Sequence, residues 1–357
     1  MIKTLQASIP QSKHKVQNTV LVFLGLVFIT LVLLSASIGA YQISLKSVIS
    51  ILFNIVGLNL GEFTVAEANV LMGIRLPRIL MGILIGGGLG LAGAALQGLF
   101  RNPLVEPGLI GVSSGGAFFA VVFIVFGASL TSITPLFSLI GLPLFAFLGG
   151  LLVTLLVYNI SSYSGKTDIS VLILAGVAIN ALMGALIGLV LFYADDAALR
   201  NFTFWSLGDL GGSNWSKLGI AAILILPALI FILRLFPQLN AMALGEREAY
   251  HMGVNIQYVK YVLFLASALI VGTAVSMSGT IGFVGLVVPH LIRLGFGADH
   301  RLVLPGSFLL GAILLSAADL LARNLVRPAE LPIGIITALL GAPFFIYLIV
   351  NFKKVKY

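Results

Sequence analysis

Between Leu76 and Phe100 the only charge is Arg78, and Gly82, Gly86, Gly90, Ala94 and Gly98 recur at every fourth position. Residues four apart lie on one face of a helix, so this stretch predicts a helix with almost no side chain along one side. In lipid, such a face lets another helix approach backbone to backbone. The chain must therefore fold as a packed helical bundle around this segment. Directly after it, RNPLVEPGLIGVSSGG (residues 101–116) sets two prolines and several small residues inside otherwise apolar sequence. Interrupted backbone at membrane depth is tolerated where protein buries it or where it lines a wet cavity.

The rest of the chain suits a lipid solvent. Of 357 residues, 59% are hydrophobic and 9% charged, against about 25% charged in soluble domains. With roughly 20 apolar residues per crossing, the length accommodates about ten spans. The expectation is an all-α integral membrane protein. Residues 20–351 form one transmembrane domain between cytoplasmic tails at 1–19 and 352–357. The net charge of +8 does not indicate nucleic acid, because the basic residues are scattered among apolar segments and form no patch. Cysteine is absent, which excludes disulfides and thiolate metal sites.

Spans are expected at about 20–34, 76–99, 108–128, 137–160, 169–192, 217–236 and 259–277. An eighth runs from SGTIGFVG to GADHR, and two more lie at about 302–321 and 332–351. Residues 41–74 hold Glu62, Glu67 and Asn69 and are placed outside. A cleaved signal peptide competes for the basic N-terminus, with Ser35-Ala36-Ser37 as its cleavage site. The apolar run continues past that point, which favours a retained span. The threading puts 13 Lys/Arg inside and seven outside, a positive-inside bias with both termini cytoplasmic. Trp205 and Trp215, in an outer segment, suit the membrane interface.

Two stretches stand out against this pattern. Arg75, Arg78, Arg323 and Arg327 fall on the outer side, against the charge bias. They either anchor to lipid headgroups or offer guanidinium forks to the carboxylates of an acidic partner. On the inner side, ALGEREAYHMGVN (243–255) places small residues around Glu246, Arg247 and Glu248. By composition it reads equally as a solvated loop.

RLPR at 75–78, the glycine-rich span, RNPLVEPGLIGVSSGG and ALGEREAYHMGV together closely resemble the permease subunits of ABC importers for iron-siderophores, haem and cobalamin. The likeness covers nearly the whole chain. Val105 stands where alanine is usual, Gly116 pushes Ala117 one place along, and Met252 replaces a leucine. The resemblance implies a type II ABC importer permease architecture in the bacterial cytoplasmic membrane. It implies a homodimer in membrane lipid, with its pathway on the two-fold axis. It also implies two separate ABC ATPase subunits, which hold ATP and Mg, and one extracytoplasmic substrate-binding protein. No cofactor is implied on this chain.

The same resemblance assigns docking of the binding protein to Arg75, Arg78 and Arg323, and gives Arg327 no role. ATPase coupling falls to Ala243, Leu244, Gly245, Ala249, Gly253 and Val254, with charged rim contacts from Glu246 and Arg247. The pathway wall falls to Asn102, Pro103, Pro107, Ser113 and Ser114, with the fifth and tenth spans. The cargo implied is an iron complex, with cobalamin or another chelate as the alternative.

Other motifs point elsewhere and fail on their requirements. Ser164-Gly165-Lys166-Thr167 matches the end of a phosphate-binding P-loop, but Ile160 stands where that loop needs glycine and no strand is expected before it. The chain is therefore expected to be a transport subunit without an ATPase site. Gly111-Val112-Ser113-Ser114-Gly115 fits a nucleophile elbow, which needs a strand-to-helix turn in an α/β sheet. His290 lies in an apolar segment and reads as a packing residue, while His251 and His300 lack metal-ligand spacing. Asp319 is an intramembrane carboxylate. It reads as a structural hydrogen-bonding group, or as the coupling site of an ion-driven secondary transporter.

Overall fold

The computed structural model describes residues 11–59, 61–127, 135–163 and 166–355. Helices follow one another along the chain: α1 (Gln11–Ser37), α2 (Leu45–Ile55), α3 (Val65–Val70) and α4 (Leu76–Phe100). After α4 come α5 (Val112–Phe126), α6 (Pro135–Ser161), α7 (Ile169–Phe192), α8 (Asp196–Ser206) and α9 (Trp215–Arg234). Next are α10 (Phe236–Leu244), α11 (Glu246–His251), α12 (Ile256–Ser278), α13 (Val284–Phe296), α14 (His300–Asn324) and α15 (Ile333–Val355). Short polar residues start many of them. Ser44, Asp168, Asp195, Asn214, Asn255 and Asp299 each accept a backbone N–H from the first turn, satisfying donors that a helix end leaves open.

Among the described residues, seven helices are long and apolar enough to cross a membrane. The expected third and eighth spans coincide with the shorter apolar helices Val112–Phe126 and Val284–Phe296, and the expected tenth with α15. At about 1.5 Å per residue, the 13 residues of α13 reach only part of the roughly 30 Å core. The region placed outside is partly helical. α2 is amphipathic and buries Ser47, Val48 and Ile51, and α3 runs through a π-turn at Leu71–Arg75 into α4. Thr64 and Glu67 form a reciprocal capping box at its start.

α4 is the hub, packing against α9, α12, α13 and α14. Its glycine stripe lies along α14. An added Cβ at Gly86 would fall 2.5 Å from the Gly311 carbonyl, one at Gly90 2.3 Å from the Ser307 carbonyl, and one at Gly98 2.4 Å from the His300 ring. Gly82 faces Leu210 and Ser316, and Ala94 is fully buried. A second small face packs on α13, where a Cβ at Gly93 would meet the Gly285 carbonyl at 1.8 Å. That face does not stand out in the sequence, because Gly93 sits between stripe positions.

Candidate functional site: the two ends of the α4–α14 pair

The end expected to face outward holds a buried charge cluster. Asp319 on α14 is 3% exposed. It takes Arg78 Nε at 2.9 Å on one oxygen and Arg323 Nε at 3.0 Å on the other. Arg78 turns its two terminal nitrogens to Glu330, at 3.2 and 2.8 Å, in a bidentate pair. Arg323 also donates to Ser35 Oγ at 2.7 Å. Arg75 is buried beside them and donates to the carbonyls of Ala36, Ser37 and Tyr41.

The three arginines do not form an open basic surface, because a desolvated carboxylate needs compensating charge and Arg78 and Arg323 supply it. Asp319 accepts a buried hydrogen bond from Arg78, the structural role expected of it, and that bond is charge-assisted. Glu330 (side chain 46% exposed) and Arg327 are the members of the group that reach solvent.

In the middle, the two interrupted segments meet. α4 stops at Arg101, which takes a left-handed conformation, and Asn102 Oδ1 accepts the Leu104 N–H. A 3₁₀ turn at Pro107–Ile110 then leads through Gly111 (φ 84°) into α5. The second break, between α12 and α13, passes through Gly279 (φ 70°) and Phe283 (φ 68°). Gln97 joins the two. Its amide nitrogen lies 3.1 Å from the Leu286 carbonyl and 3.3 Å from the Val105 carbonyl, and its oxygen accepts from Arg293. Glu106 Oε1 accepts the Phe283 N–H at 3.4 Å, and Pro107 packs on Gly285. The broken backbone is thus packed against protein at Val105, Pro107 and Ile110, while Asn102 and Pro103 line a cavity, the two settings in which lipid tolerates it.

Of the pathway residues, Asn102 and Pro103 line an inner cavity of about 250 Å³ with Arg101, Arg293 and Ala243. Pro107 is buried, and Ser113 and Ser114 are half-buried and do not line that cavity. Ser114 donates to Asn180 Oδ1 at 2.6 Å, and Asn180 Nδ2 donates to the Gly108 carbonyl at 3.3 Å. Asn180 therefore clamps the 3₁₀ turn onto α7. α7 also approaches that turn at Gly176, where a Cβ would fall 1.9 Å from the Leu109 carbonyl. Ser113 and Ser114 open a helix after a 3₁₀ turn, not the strand-to-helix turn a nucleophile elbow requires.

The opposite end, expected to face inward, carries α10 and α11. Gly245 (φ 141°) separates them and Gly253 (φ 83°) follows them, conformations that favour glycine. Ala249 is fully buried, while Ala243, Leu244, Arg247, Tyr250 and Met252 are exposed. Leu244 and Tyr250 are each 69% exposed at a surface edged by charge. Glu246 is half-buried. It pairs inward with Lys260 at 2.9 Å, and Lys260 also donates to the Thr167 carbonyl at 3.1 Å. Thr167 belongs to a small antiparallel hairpin, Ser162–Tyr163 with Lys166–Thr167. A two-residue strand thus precedes the glycine-lysine pair where none is expected. Ser164 and Gly165 lie outside the described residues, and α7 begins only at Ile169.

Sequence reasoning misses Gln97, Asn180, Lys260 and the Glu330–Arg78 pair as joints. The available signal was a polar or charged side chain inside an apolar stretch, which needs a partner in lipid.

Asp299, in the loop before α14, gives a pH prediction. Burial raises its pKa, but the Arg301 N–H, Asn240, Gln17 and the Arg301 charge together bring it below the usual aspartate value. A depressed folded pKa adds stability that is present above the unfolded value of about 3.9 and lost as pH falls through the folded one. The Tm advantage of wild type over Asp299→Ala should be constant near neutrality and shrink below about pH 4. A gap that widens on acidification would contradict the assignment.

Three comparisons bear on this geometry. The model of the FecCD transport family matches residues 26–351. The chain belongs to that family. It is 44% identical over 333 residues to the hemin transport system permease protein HmuU of Yersinia pestis, covering 93% of this chain and 95% of the relative. It is 40% identical to the cobalamin import system permease protein BtuC of Halobacterium salinarum, covering 81% and 76%. A solved metal-chelate type ABC transporter in an inward-facing conformation superposes with a TM-score of 0.80 at 36% identity, covering 94% of this chain and 99% of that one. Fold and family together make this an all-helical, membrane-spanning ABC importer permease.

Proposed function

We propose that this chain is the permease of a binding-protein-dependent importer that moves an iron complex, haem or a ferric siderophore, across the bacterial cytoplasmic membrane. The observation that carries the cargo is the 44% identity, over 93% of the chain, to a hemin permease. The alternative is cobalamin, favoured by the cobalamin-permease relative. ATP and Mg belong to two separate ATPase subunits, and the chain has no ATPase site of its own. The exposed apolar Leu244, Tyr250 and Met252 beside buried Ala249 give α10–α11 a surface suited to such a partner. The working unit is a homodimer with N- and C-termini cytoplasmic. α7 supports this reading, since it leaves Leu174, Val177, Leu182 and Leu189 exposed while holding the 3₁₀ turn through Asn180. Uptake by a deletion strain tests the cargo. Loss of one iron complex, restored by the gene, supports the reading, whereas loss of cobalamin uptake alone overturns it.

Docking of the binding protein is assigned to the outer arginine group. Because Arg78 already holds Glu330 in a bidentate pair, a partner carboxylate must exchange with Glu330. Arg327 offers the exposed charge beside it. Glu330→Gln removes the internal competitor and should tighten docking several-fold, by roughly 1 kcal/mol, with a steeper salt dependence. Surface-immobilised binding protein reads this directly. Weaker or unchanged affinity in that variant would remove the assignment.

A further inference from the structure

Asn240, on α10, bonds to the first residue of α14 and to its cap. Its amide nitrogen donates to Asp299 Oδ1 at 2.8 Å, and its oxygen accepts the His300 backbone N–H at 2.9 Å and faces His300 Nδ1 at 2.8 Å. Asp299 caps α14 through the Arg301 N–H and accepts from Gln17 of α1 on its other oxygen. Around this joint the packing is close. Leu239 is fully buried, and a Cβ at Gly98 would meet both His300 and Leu239, at 2.4 and 3.2 Å. The Arg301 guanidinium lies over the Phe236 ring, 5.3 Å from its centre.

α14 is one helix of 25 residues, about 37 Å long. Its outer end carries Asp319 and Arg323, which are ion-paired with one another and, through Asp319, with Arg78. Between the ends it meets α4 backbone to backbone at Gly311 and Ser307. Pro305 lies within its second turn, and the stretch beyond it is fixed against α4 by these contacts.

We propose that Asn240 is a positioning residue that fastens the ATPase-facing helix pair α10–α11 to the inner end of α14. Displacement of that pair is thereby delivered to the outer arginine group along α14. The inference rests on the reading of Ala243–Val254 as the ATPase contact. It adds a residue outside that segment and a direction of transmission. Spatial intermediacy alone does not establish coupling, so the test must separate coupling from support.

The complete importer, with its ATPase and binding protein, is reconstituted in proteoliposomes carrying wild type, Asn240→Ala, Asn240→Asp or Asp299→Asn. Co-purification of the ATPase, ATP hydrolysis and substrate moved per ATP are measured. Asn240→Ala should retain the ATPase, yet move at least about five-fold less substrate per ATP and lose stimulation by docked binding protein to the same degree. Asp299→Asn keeps acceptors for Arg301 and Asn240 and should behave as wild type. Should Asn240→Ala fail to assemble, Asn240→Asp decides. It keeps the bond to the His300 N–H, replaces the bond to Asp299 with repulsion, and should show the same uncoupling. An unchanged ratio of transport to hydrolysis in the assembled variant, including one where both rates fall in proportion, overturns the inference. A variant that does not bind ATPase at all tests the underlying contact reading, and that failure shows in co-purification.

Discussion

Asp319→Ala should destabilise the protein by about 3–5 kcal/mol, the cost of breaking a buried ion pair from one side. The substitution leaves two buried guanidiniums facing each other across an empty site. Arg78 keeps Glu330, but Arg323 keeps only Ser35. Asp319→Asn retains an acceptor and should cost less. Thermal unfolding of the purified protein in detergent checks both. A loss below about 1 kcal/mol for the alanine variant would place Asp319 among weakly coupled surface charges, contrary to its 3% exposure. If Asp319 served ion coupling in a secondary transporter, the neutral variants would instead fold normally and lose ion-driven uptake.

The second large effect falls on the α4 faces. A Cβ at Gly93 has its nearest neighbour in a backbone carbonyl 1.8 Å away, and one at Gly90 in another at 2.3 Å. A carbonyl in a helix cannot rotate aside, so the helices must part. Gly93→Ala and Gly90→Val should each cost about 3 kcal/mol or more, the upper range for overpacking, and show as loss of folded yield. Gly82→Ala is the control, since its new methyl meets the movable end of Leu210 at 3.3 Å and the Ser316 hydroxyl at an ordinary 3.9 Å and should stay within about 1 kcal/mol. Equal behaviour of Gly82→Ala and Gly93→Ala would contradict close backbone approach as the reason for the glycines.

Regular periodicity was the legible part. A four-residue spacing of small residues shows one face of α4 in the sequence alone, and two prolines show where the helix ends. Gly93 is not legible in that way, because it belongs to a second face that becomes meaningful only once Gly285 lies opposite. α2 hides for a similar reason. Its buried Val48 and Ile51 form too short a repeat to mark a helix in a polar stretch. The members of the charge cluster stand out in the sequence, but their pairing does not. Glu330 and Arg78 are 252 positions apart, and only the antiparallel closure of α14 on α4 brings them together. Family likeness names the outer arginines as docking residues, but it does not say that burial has already given two of them an internal carboxylate. Asn240 and Lys260 are equally silent, each an ordinary polar residue near a helix end until its partner across the bundle is known.

The central claim is that ATP hydrolysis by a separate subunit drives an iron complex through this permease. Uptake of haem or a ferric siderophore into proteoliposomes holding the permease, its ATPase and the binding protein tests it most directly. The account predicts uptake that requires ATP on the ATPase side, stops when the ATPase is disabled, and persists when ionophores collapse every ion gradient. Uptake by the permease alone that vanishes with the gradient would contradict it.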